Sequence, residues 1–477
     1  MLPFPNNWYA QCRLECGPAP LLHEQSPSPP ERLLQAVWLH QRLRRDHLVS
    51  LDGEPLQVLH PGFISREGGP DFRRAVIQVG NRPPRSGDVE VDVHAGGWIA
   101  HGHDRNPAFR DVILHVIWEG TRPARGAPAT LVLRDNLDAT LDELSLWLDS
   151  GDEPAMPGHL RGRCCPALEK LSAAGRGGLF CDAAEIRFRS KAEQLHARAR
   201  EAGWEQSLWE GLFRALGYKH NSWPMRRLAE QRARWFNASM SPIQLQARLL
   251  GIGGLLPSEL TRSRSGADGY LRRVWDYWWR DRAEFEECTL PAALWCFHGQ
   301  RPANQPQRRL ALAAHWLASG RFVPDIERWC TTPLPEGREP GLLLDALQVR
   351  RDPFWSWHWT LRSARMARPQ PLLGPARATD LAVNVILPWA WVRAVEGKNK
   401  DLQNALERRF RSWPAAEDNA VLRLARQRLL GDAPRRVLRR AAEQQGCIQI
   451  VRDFCDRSDA VCTRCRFPRL VESRFDD

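Results

Sequence analysis

The spacing of the hydrophobic residues changes twice along the chain. Over residues 31–48 (ERLLQAVWLHQRLRRDHL), apolar side chains recur at helical intervals, which predicts an amphipathic helix. From about Leu51 to Arg134 the spacing becomes two, which predicts strands. The strand segments are LQVLH, RRAVIQVG, DVEVDVH, DVILHVIWEG and ATLVLRD. Beyond about residue 160 the helical spacing returns and continues along the rest of the chain.

These patterns predict the α+β fold class and three segments. Residues 1–30 are rich in proline and polar residues, and we expect them to form an irregular arm. Residues 31–150 are predicted to form a strand-rich α/β module, and residues 160–477 a larger all-α region that ends in a cysteine cluster. No repeat of fixed period is present in the sequence, which argues against a solenoid.

One predicted strand carries candidate chemistry. In GDVEVDVH the polar positions are Glu90, Asp92 and His94, while the alternate positions are valines. Successive side chains of a strand point to opposite faces, so the three polar groups share one face. A strand with one solvated face shows the same alternation. Two acidic residues at i and i+2, however, repel each other unless a cation lies between them, which favours a functional site.

Two further residues are placed by their strands near this polar face. Asp71, in the segment GPDF, lies at the start of the preceding strand, and His115 lies within the following one. Carboxylates with histidines nearby suit a divalent cation that activates water against a phosphodiester. We therefore predict that Asp71 and Glu90 bind Mg²⁺ or Mn²⁺, that Asp92 assists, and that His94 or His115 transfers protons.

The order Pro-Asp followed by Glu-Val-Asp on the next strand is similar to the PD-(D/E)XK nuclease pattern. The resemblance implies a restriction-endonuclease-like module in which Asp71 and Glu90 are the metal ligands. Asp92 stands where that pattern has a lysine, so His94 or His115 would have to replace the lysine.

A longer resemblance covers positions 51 to 467. The chain resembles the bacterial family called domain of unknown function 2851. The matching segments include LDGEPLQVLHPGFISREGGPDFRRAVIQVG, GDVEVDVHAGGWIAHGHDRNPAFRDVILHVIWEG, GQRPANQPQRRLALAA, NVILPWAW and QQGCIQIVRDFCDRSDAVCTRCRFP. The family pattern implies a His two residues after the Glu and an Asp before the Trp, where this chain has Asp92 and Gly97. The resemblance implies no established activity.

The C-terminal cysteines form a second candidate site. Four cysteines lie within 19 residues, at Cys447, Cys455, Cys462 and Cys465. Four thiolates can bind one Zn²⁺ or, as the alternative, an iron–sulfur cluster. Reduced thiols that bind no metal remain the other interpretation of the same spacing.

A third candidate lies in RPANQPQRR, immediately before an apolar helix. Arg301, Arg308 and Arg309 beside the first turn of a helix could bind a nucleic-acid phosphate. A buried helix–helix junction in which the arginines pair with carboxylates explains the same pattern.

The net charge of the chain indicates a class of binding partner. The formal net charge is +12 and the sequence pI is about 9.4, which favours contact with a polyanion such as DNA or RNA. No apolar run approaches the roughly 18–20 residues that cross a membrane, and the N-terminal sequence lacks a signal-peptide pattern. We expect a cytoplasmic, metal-dependent nuclease or phosphodiesterase. The alternative is a non-catalytic nucleic-acid-binding or assembly protein that keeps a nuclease-like scaffold.

Overall fold

The computed structural model describes most of the chain. It covers residues 7–16, 29, 31–65, 69–141, 144, 162–218, 221–260, 268–297, 301–335, 337–431, 433–455 and 465–475. A strand-rich sheet is followed by a large helical region, so the predicted α+β class is confirmed. The chain divides into two compact units, one formed by Met1–Ser190 with Glu417–Asp477 and the other by Lys191–Ala416.

The first unit contains one mixed sheet of six strands. The strands are β1 (Leu56–His60), β2 (Phe63–Ile64), β3 (Phe72–Val79), β4 (Arg85–His94), β5 (Val112–Glu119) and β6 (Ala129–Val132). Their order is β1-β3-β4-β5-β6, and β2 pairs with β3 off this path. Pairing is antiparallel from β1 to β4 and parallel from β4 to β6. Five of these strands coincide with the segments in which the sequence predicts them.

One face of the sheet packs into a hydrophobic core. Val89 and Val91 of β4 are fully buried there, as are Leu114 and Val116 of β5. Leu34 and Trp38 of the helix Glu31–His40 pack into the same core. This helix is shorter than predicted, because a turn at Gln41 with φ of 49° ends it, and a 3-10 helix follows over Arg45–His47. The polar face of β4 is therefore opposite the main core.

The same unit has a second, all-helical core. Its helices are Trp8–Cys16, Cys165–Lys170, Ala173–Ala202, Ala420–Leu430, Ala441–Phe454 and Phe467–Phe475. The helix Ala173–Ala202 continues past Ser190, where the first unit ends. Short helical turns occur at Gly97–Ala100, Pro107–Phe109, Arg134–Asn136 and Arg435–Val437.

This core departs from two predictions. Part of the segment predicted as an irregular arm is helical, because Tyr9 is fully buried and its hydroxyl donates to Asp453 Oδ2 at 2.8 Å. The predicted domain boundary near residue 160 also differs from the division into two compact units, because the C-terminal helices belong to the same unit as the sheet.

The regular elements of the second unit, among its described residues, are helices joined by turns and irregular segments. Its α-helices are Trp204–Leu216, Ser222–Glu230, Arg232–Trp235, Pro242–Ile252, Asp268–Asp281, Pro306–Ala318, Phe322–Thr331, Glu339–Leu347, Pro375–Leu381, Leu387–Glu396 and Lys400–Ser412. A π-helix occupies Ala382–Ile386, and 3-10 turns occupy Glu286–Cys288, Ala292–Leu294 and Pro302–Asn304. In the described part of the chain, no helix combines the length and apolarity needed to cross a membrane.

His60, at the end of β1, gives the fold a testable dependence on pH. Its side chain is buried, and Nδ1 accepts a hydrogen bond from the Gly62 N–H at 3.0 Å. Burial, with a contribution from Arg74, lowers the pKa of His60 from 6.5 to about 4. The unfolded chain therefore binds more protons than the folded chain between these values, so the free energy of unfolding rises with pH across this window.

We expect this group to contribute about 3 kcal/mol above pH 6.5, all of it lost as the pH falls to 4. His60→Asn keeps an acceptor but does not titrate, so its urea denaturation curves are expected to depend less on pH between 4 and 6.5. His47→Asn is the control, because His47 is exposed. Equal pH dependence in His60→Asn and the parent would contradict the assignment.

Candidate metal centre

Glu90 and Asp92, on the polar face of β4, are not solvated. Glu90 is 7% exposed and Asp92 is 2% exposed, although both lie opposite the apolar core. The connection between β4 and β5 covers them: it contains the helical turn Gly97–Ala100 and the buried side chain of Trp98. Burying two carboxylates on one face requires compensating partners, and the surrounding residues provide some of them.

Asp71 and Glu90 are brought together at the junction of β3 and β4. The Asp71 N–H donates to Glu90 Oε2 at 3.0 Å, and the Val91 N–H donates to Asp71 Oδ2 at 3.0 Å. Gln35, on the helix Glu31–His40, donates to Asp71 Oδ1 at 2.9 Å. Both Asp71 oxygens thus accept hydrogen bonds that fix the carboxylate against the edge of β4.

Asp92 is held by two histidines. His115 Nε2 lies 2.9 Å from Asp92 Oδ2, and His101 Nδ1 lies 3.1 Å from Asp92 Oδ1. The His115 side chain is fully buried on β5, whereas the His101 side chain is 55% exposed. His115 therefore orients the carboxylate from the protein interior, and His101 approaches it from the solvent side.

His103 completes the group. Its Nε2 lies 3.2 Å from Glu90 Oε1, and its side chain is 9% exposed. Its ring lies against that of Phe109, with the ring centroids 4.0 Å apart and the planes tilted by 31°. Neither ring nitrogen has an aligned hydrogen-bond partner among the described residues. One ligand atom each from Asp92, His101 and His103 lie within 4.8 Å of one another. Such spacing fits three ligands of a single cation.

Burial and mutual repulsion change the proton affinity of these carboxylates. Burial raises the pKa of Asp71 to about 7, against the opposing effect of the Val91 N–H. Burial, reinforced by the neighbouring Asp71, raises the pKa of Glu90 to about 9. Burial lowers the pKa of His103, so its ring is more readily neutral and able to act as a ligand. Without a cation, the cluster therefore holds protons that a cation would displace.

We call the group formed by Asp71, Glu90, Asp92, His101 and His103 the carboxylate–histidine site. Three of these residues, Asp71, Glu90 and Asp92, were predicted from the sequence. His115 lies directly behind Asp92. His94 lies apart from the site: it is paired with Glu119 at the end of β4, its side chain is 56% exposed, and its Nδ1 is 4.0 Å from Glu119 Oε1.

His101 and His103 were not predicted as site residues. They lie in a glycine-containing connection, where periodicity gives no information about the direction of a side chain. The available signal was compositional, because five of the 14 histidines, at positions 60, 94, 101, 103 and 115, fall within 56 residues.

The Asp92 carboxylate leaves no room for a side chain at position 97, which is glycine. A Cβ at this position would lie 2.5 Å from Asp92 Oδ1 and 2.6 Å from its Cγ, closer than real side chains approach. The Asp92 carboxylate and a side chain at position 97 therefore compete for one space. The family pattern noted above, with an Asp before the Trp, has its carboxylate at the position where this chain has glycine.

Gly97→Ala is accordingly expected to displace the Asp92 carboxylate. We expect a loss of about 1–3 kcal/mol in the free energy of unfolding, the usual cost of overpacking, and at least tenfold weaker Mn²⁺ binding. Gly96→Ala is the matched control, because nothing lies within 4 Å of its Cβ and its φ is −65°. Urea denaturation and Mn²⁺ titration would measure both effects. Similar behaviour of the two variants would contradict this arrangement.

The arginines predicted to bind phosphate have other partners. Arg308 and Arg309 are 1% and 3% exposed, and their guanidinium groups donate to backbone carbonyls such as those of Pro371 and Leu372. Arg309 also donates to Asn304 Oδ1 at 2.7 Å. This is the buried helix junction of the other interpretation, although Arg308 and Arg309 donate to carbonyl oxygens rather than to the expected carboxylates, and it argues against nucleic-acid binding by these two arginines. Arg301 is exposed.

The predicted cysteine site is only partly described. Cys447 is fully buried in the helical core, where burial raises the pKa of its thiol well above the usual value. Cys455 and Cys465 are partly buried at the edge of the same core. Cys462 lies outside the described residues.

The fold and site define an α+β protein with a buried cluster of carboxylates and histidines on one sheet face. The family described as "Protein of unknown function (DUF2851)" matches residues 31–419, and the chain belongs to this family. No curated protein and no solved structure matches the chain.

Proposed function

We propose that this protein is a metal-dependent phosphodiesterase that acts on nucleic acid at the carboxylate–histidine site. The observation that carries the proposal is the convergence of Asp92, His101 and His103 within 4.8 Å, with Glu90 at 3.2 Å from His103. Buried carboxylates beside histidine nitrogens that lack aligned partners are expensive to maintain unless a cation compensates them.

The donor set indicates which cation the site would take. Carboxylates suit Mg²⁺ and Mn²⁺, whereas imidazole suits transition metals. A mixture of carboxylate and imidazole therefore favours Mn²⁺ over Mg²⁺. Asp92, His101 and His103 would be the ligands, with Glu90 beside them. Asp71, whose oxygens accept from Gln35 and Val91, is a positioning residue in this proposal.

The remaining residues have separate roles. His115 fixes the orientation of Asp92 from inside the sheet, as second-sphere partners of metal ligands do. Glu90 holds a proton readily, because burial raises its pKa to about 9, and can accept or return a proton beside the reacting water. A divalent cation bound here would lower the pKa of a water molecule and so supply the nucleophile.

Nucleic acid is proposed as the substrate class for two reasons. The net charge of +12 attracts a polyanion to a protein whose candidate site is itself acidic. The order of Asp71 and Glu90 along two adjacent strands is also similar to that of PD-(D/E)XK nucleases, which cleave phosphodiester bonds. Asp92 in place of their lysine predicts slow turnover, because a carboxylate cannot stabilise developing negative charge.

The test is cleavage of single- and double-stranded DNA and of RNA by the purified protein in excess Mn²⁺. We expect weak cleavage above the background of Glu90→Ala, which lacks the carboxylate. Binding without cleavage in either protein would instead support the non-catalytic nucleic-acid-binding alternative, and that binding would weaken with salt.

A further inference from the structure

Strand β3 carries a bulge next to the carboxylate–histidine site. Phe72 pairs with Val89 and Ala75 pairs with Gly87, so three steps along β3 face two steps along β4. Phe72 and Ala75 are both fully buried in the core of the sheet. The two residues between them are therefore both left on the opposite face, which is the face that carries the acidic row of β4.

These two residues are Arg73 and Arg74, and both are exposed. Arg74 has a φ of 56°, a left-handed conformation that disfavours residues other than glycine, and its N–H donates to Asp88 Oδ1 at 3.0 Å. Bulges of this kind redirect side chains and are common beside active sites. Asp88 and Glu90 are two residues apart on one strand face, about 7 Å by the strand rise. The bulge thus presents two cationic side chains one step from the candidate metal centre.

The Arg73 guanidinium is open to a ligand. No hydrogen bond or ion pair joins it to another residue in the described part of the chain. A Cβ placed on Gly69 would lie 3.2 Å from Arg73 Nη2 and 3.8 Å from Ala108 Cβ. Ala108 precedes Phe109, whose ring lies against that of His103. The guanidinium therefore lies between the start of β3 and the connection that covers the carboxylate–histidine site.

An exposed aromatic ring adjoins the two arginines. Phe63 of β2 pairs with Arg73, and its side chain is 49% exposed. Arg74 Cζ lies 5.1 Å from the centre of the Phe63 ring, and the His60 ring lies with its centroid 4.7 Å from the same centre. An exposed ring interleaved with arginines is the arrangement on which a nucleic-acid base stacks while its phosphates are bound.

We propose that Phe63, Arg73 and Arg74 bind a single strand of DNA or RNA beside the carboxylate–histidine site. The guanidinium groups would bind phosphate oxygens, and Phe63 would stack on a base. The bases of a duplex are already stacked on one another, so the ring favours a single strand. The arginines also offset the repulsion between a phosphodiester and the acidic site. This inference rests on the proposed function, because it assigns the substrate class of that same site.

The test measures binding separately from cleavage. Fluorescence anisotropy would follow labelled oligo(dT), oligo(U) and a DNA duplex titrated with full-length protein in EDTA, where no divalent cation supports cleavage. We expect Arg73→Gln to weaken single-strand binding about tenfold at low salt, and to reduce the slope of log affinity against log salt by about 0.7. Phe63→Ala should weaken it at least about fivefold and leave the slope unchanged, because stacking releases no counterions.

Two variants are matched controls. Arg85 is also exposed but lies at the end of β4 remote from Glu90, so Arg85→Gln should bind like the parent. Phe297 is 38% exposed and belongs to the second unit, so Phe297→Ala should also bind like the parent. Urea denaturation would establish that each variant folds. Phe63→Leu, which keeps an apolar side chain without a ring, replaces Phe63→Ala if the latter does not fold.

Three results would overturn the proposal: no binding of single strands by the parent, equal affinity of Arg73→Gln and Arg85→Gln, or duplex bound as tightly as a single strand. Binding that depends on Arg73 and Phe63, with no cleavage in Mn²⁺, would contradict the proposed catalytic function alone. Mn²⁺-dependent cleavage with binding insensitive to these substitutions would contradict the present inference alone.

Discussion

Glu90→Gln is expected to abolish Mn²⁺-dependent cleavage, with a loss of at least about 100-fold. Changing a residue that only orients a metal ligand typically costs 10–100-fold, and Glu90 lies at the site itself. Glutamine has the same shape, and its carbonyl oxygen can still accept from the Asp71 N–H that now donates to Glu90 Oε2. The fold should therefore be preserved.

The same substitution should stabilise the metal-free protein at high pH. Glu90 has a raised pKa of about 9, so the folded chain binds more protons than the unfolded chain between about pH 4.5 and 9. The free energy of unfolding of the metal-free parent consequently falls as pH rises through this window. Glutamine does not titrate, so Glu90→Gln removes this loss.

Glu119→Gln is the control for both effects. Glu119 lies on β5 with its side chain 37% exposed, and it pairs with Arg134 away from the carboxylate–histidine site. We expect this variant to cleave like the parent and to keep the parent's pH dependence of unfolding. If Glu90→Gln retained activity equal to Glu119→Gln, Glu90 would have no part in catalysis.

Mn²⁺ is expected to stabilise the parent protein increasingly as pH rises. The cation must displace protons from the carboxylate–histidine site, so binding releases protons and strengthens with pH. With one proton released from Glu90, the apparent affinity should rise by up to about tenfold per pH unit between pH 7 and 9. At 100 times the Kd, Mn²⁺ should add about 2.7 kcal/mol to the free energy of unfolding.

Urea denaturation with and without Mn²⁺, at pH 7, 8 and 9, measures this effect. Calorimetric titration in two buffers of different ionisation enthalpy counts the protons released. Asp92→Asn should lose the stabilisation, since Asp92 is a proposed ligand whose carboxylate two histidines hold in place. Mn²⁺ affinity that stays constant over this pH range would contradict the predicted proton release.

Local pattern was sufficient for five of the six strands of the sheet. The valine positions of β4 alternate with Glu90 and Asp92, and the structure places these two sets on opposite faces, with Val89 and Val91 fully buried. The period of two is a property of the strand itself, so it is readable without knowing any partner. The same holds for the change to helical spacing beyond residue 160, which identified the α+β class.

Interior arginines and cysteines were harder to interpret. Arg308 and Arg309 occur beside a helix start whether they bind phosphate or carbonyls, and only their burial in the second unit distinguishes the two. The spacing of the C-terminal cysteines indicated Cys447 as a metal ligand, and only the structure shows that its thiol is fully buried in the helical core.

The sequence by itself determined five of the six strands, the change to helical structure beyond residue 160, the acidic row of β4 and membership of the family. Only the tertiary structure decided which groups meet that row. His101 and His103 reach Asp92 and Glu90 because the connection between β4 and β5 folds back over the sheet, and Gly97 leaves room for the Asp92 carboxylate. The physical reason is that periodicity specifies the face of an element, whereas the meeting of two side chains depends on long-range packing that no local pattern encodes.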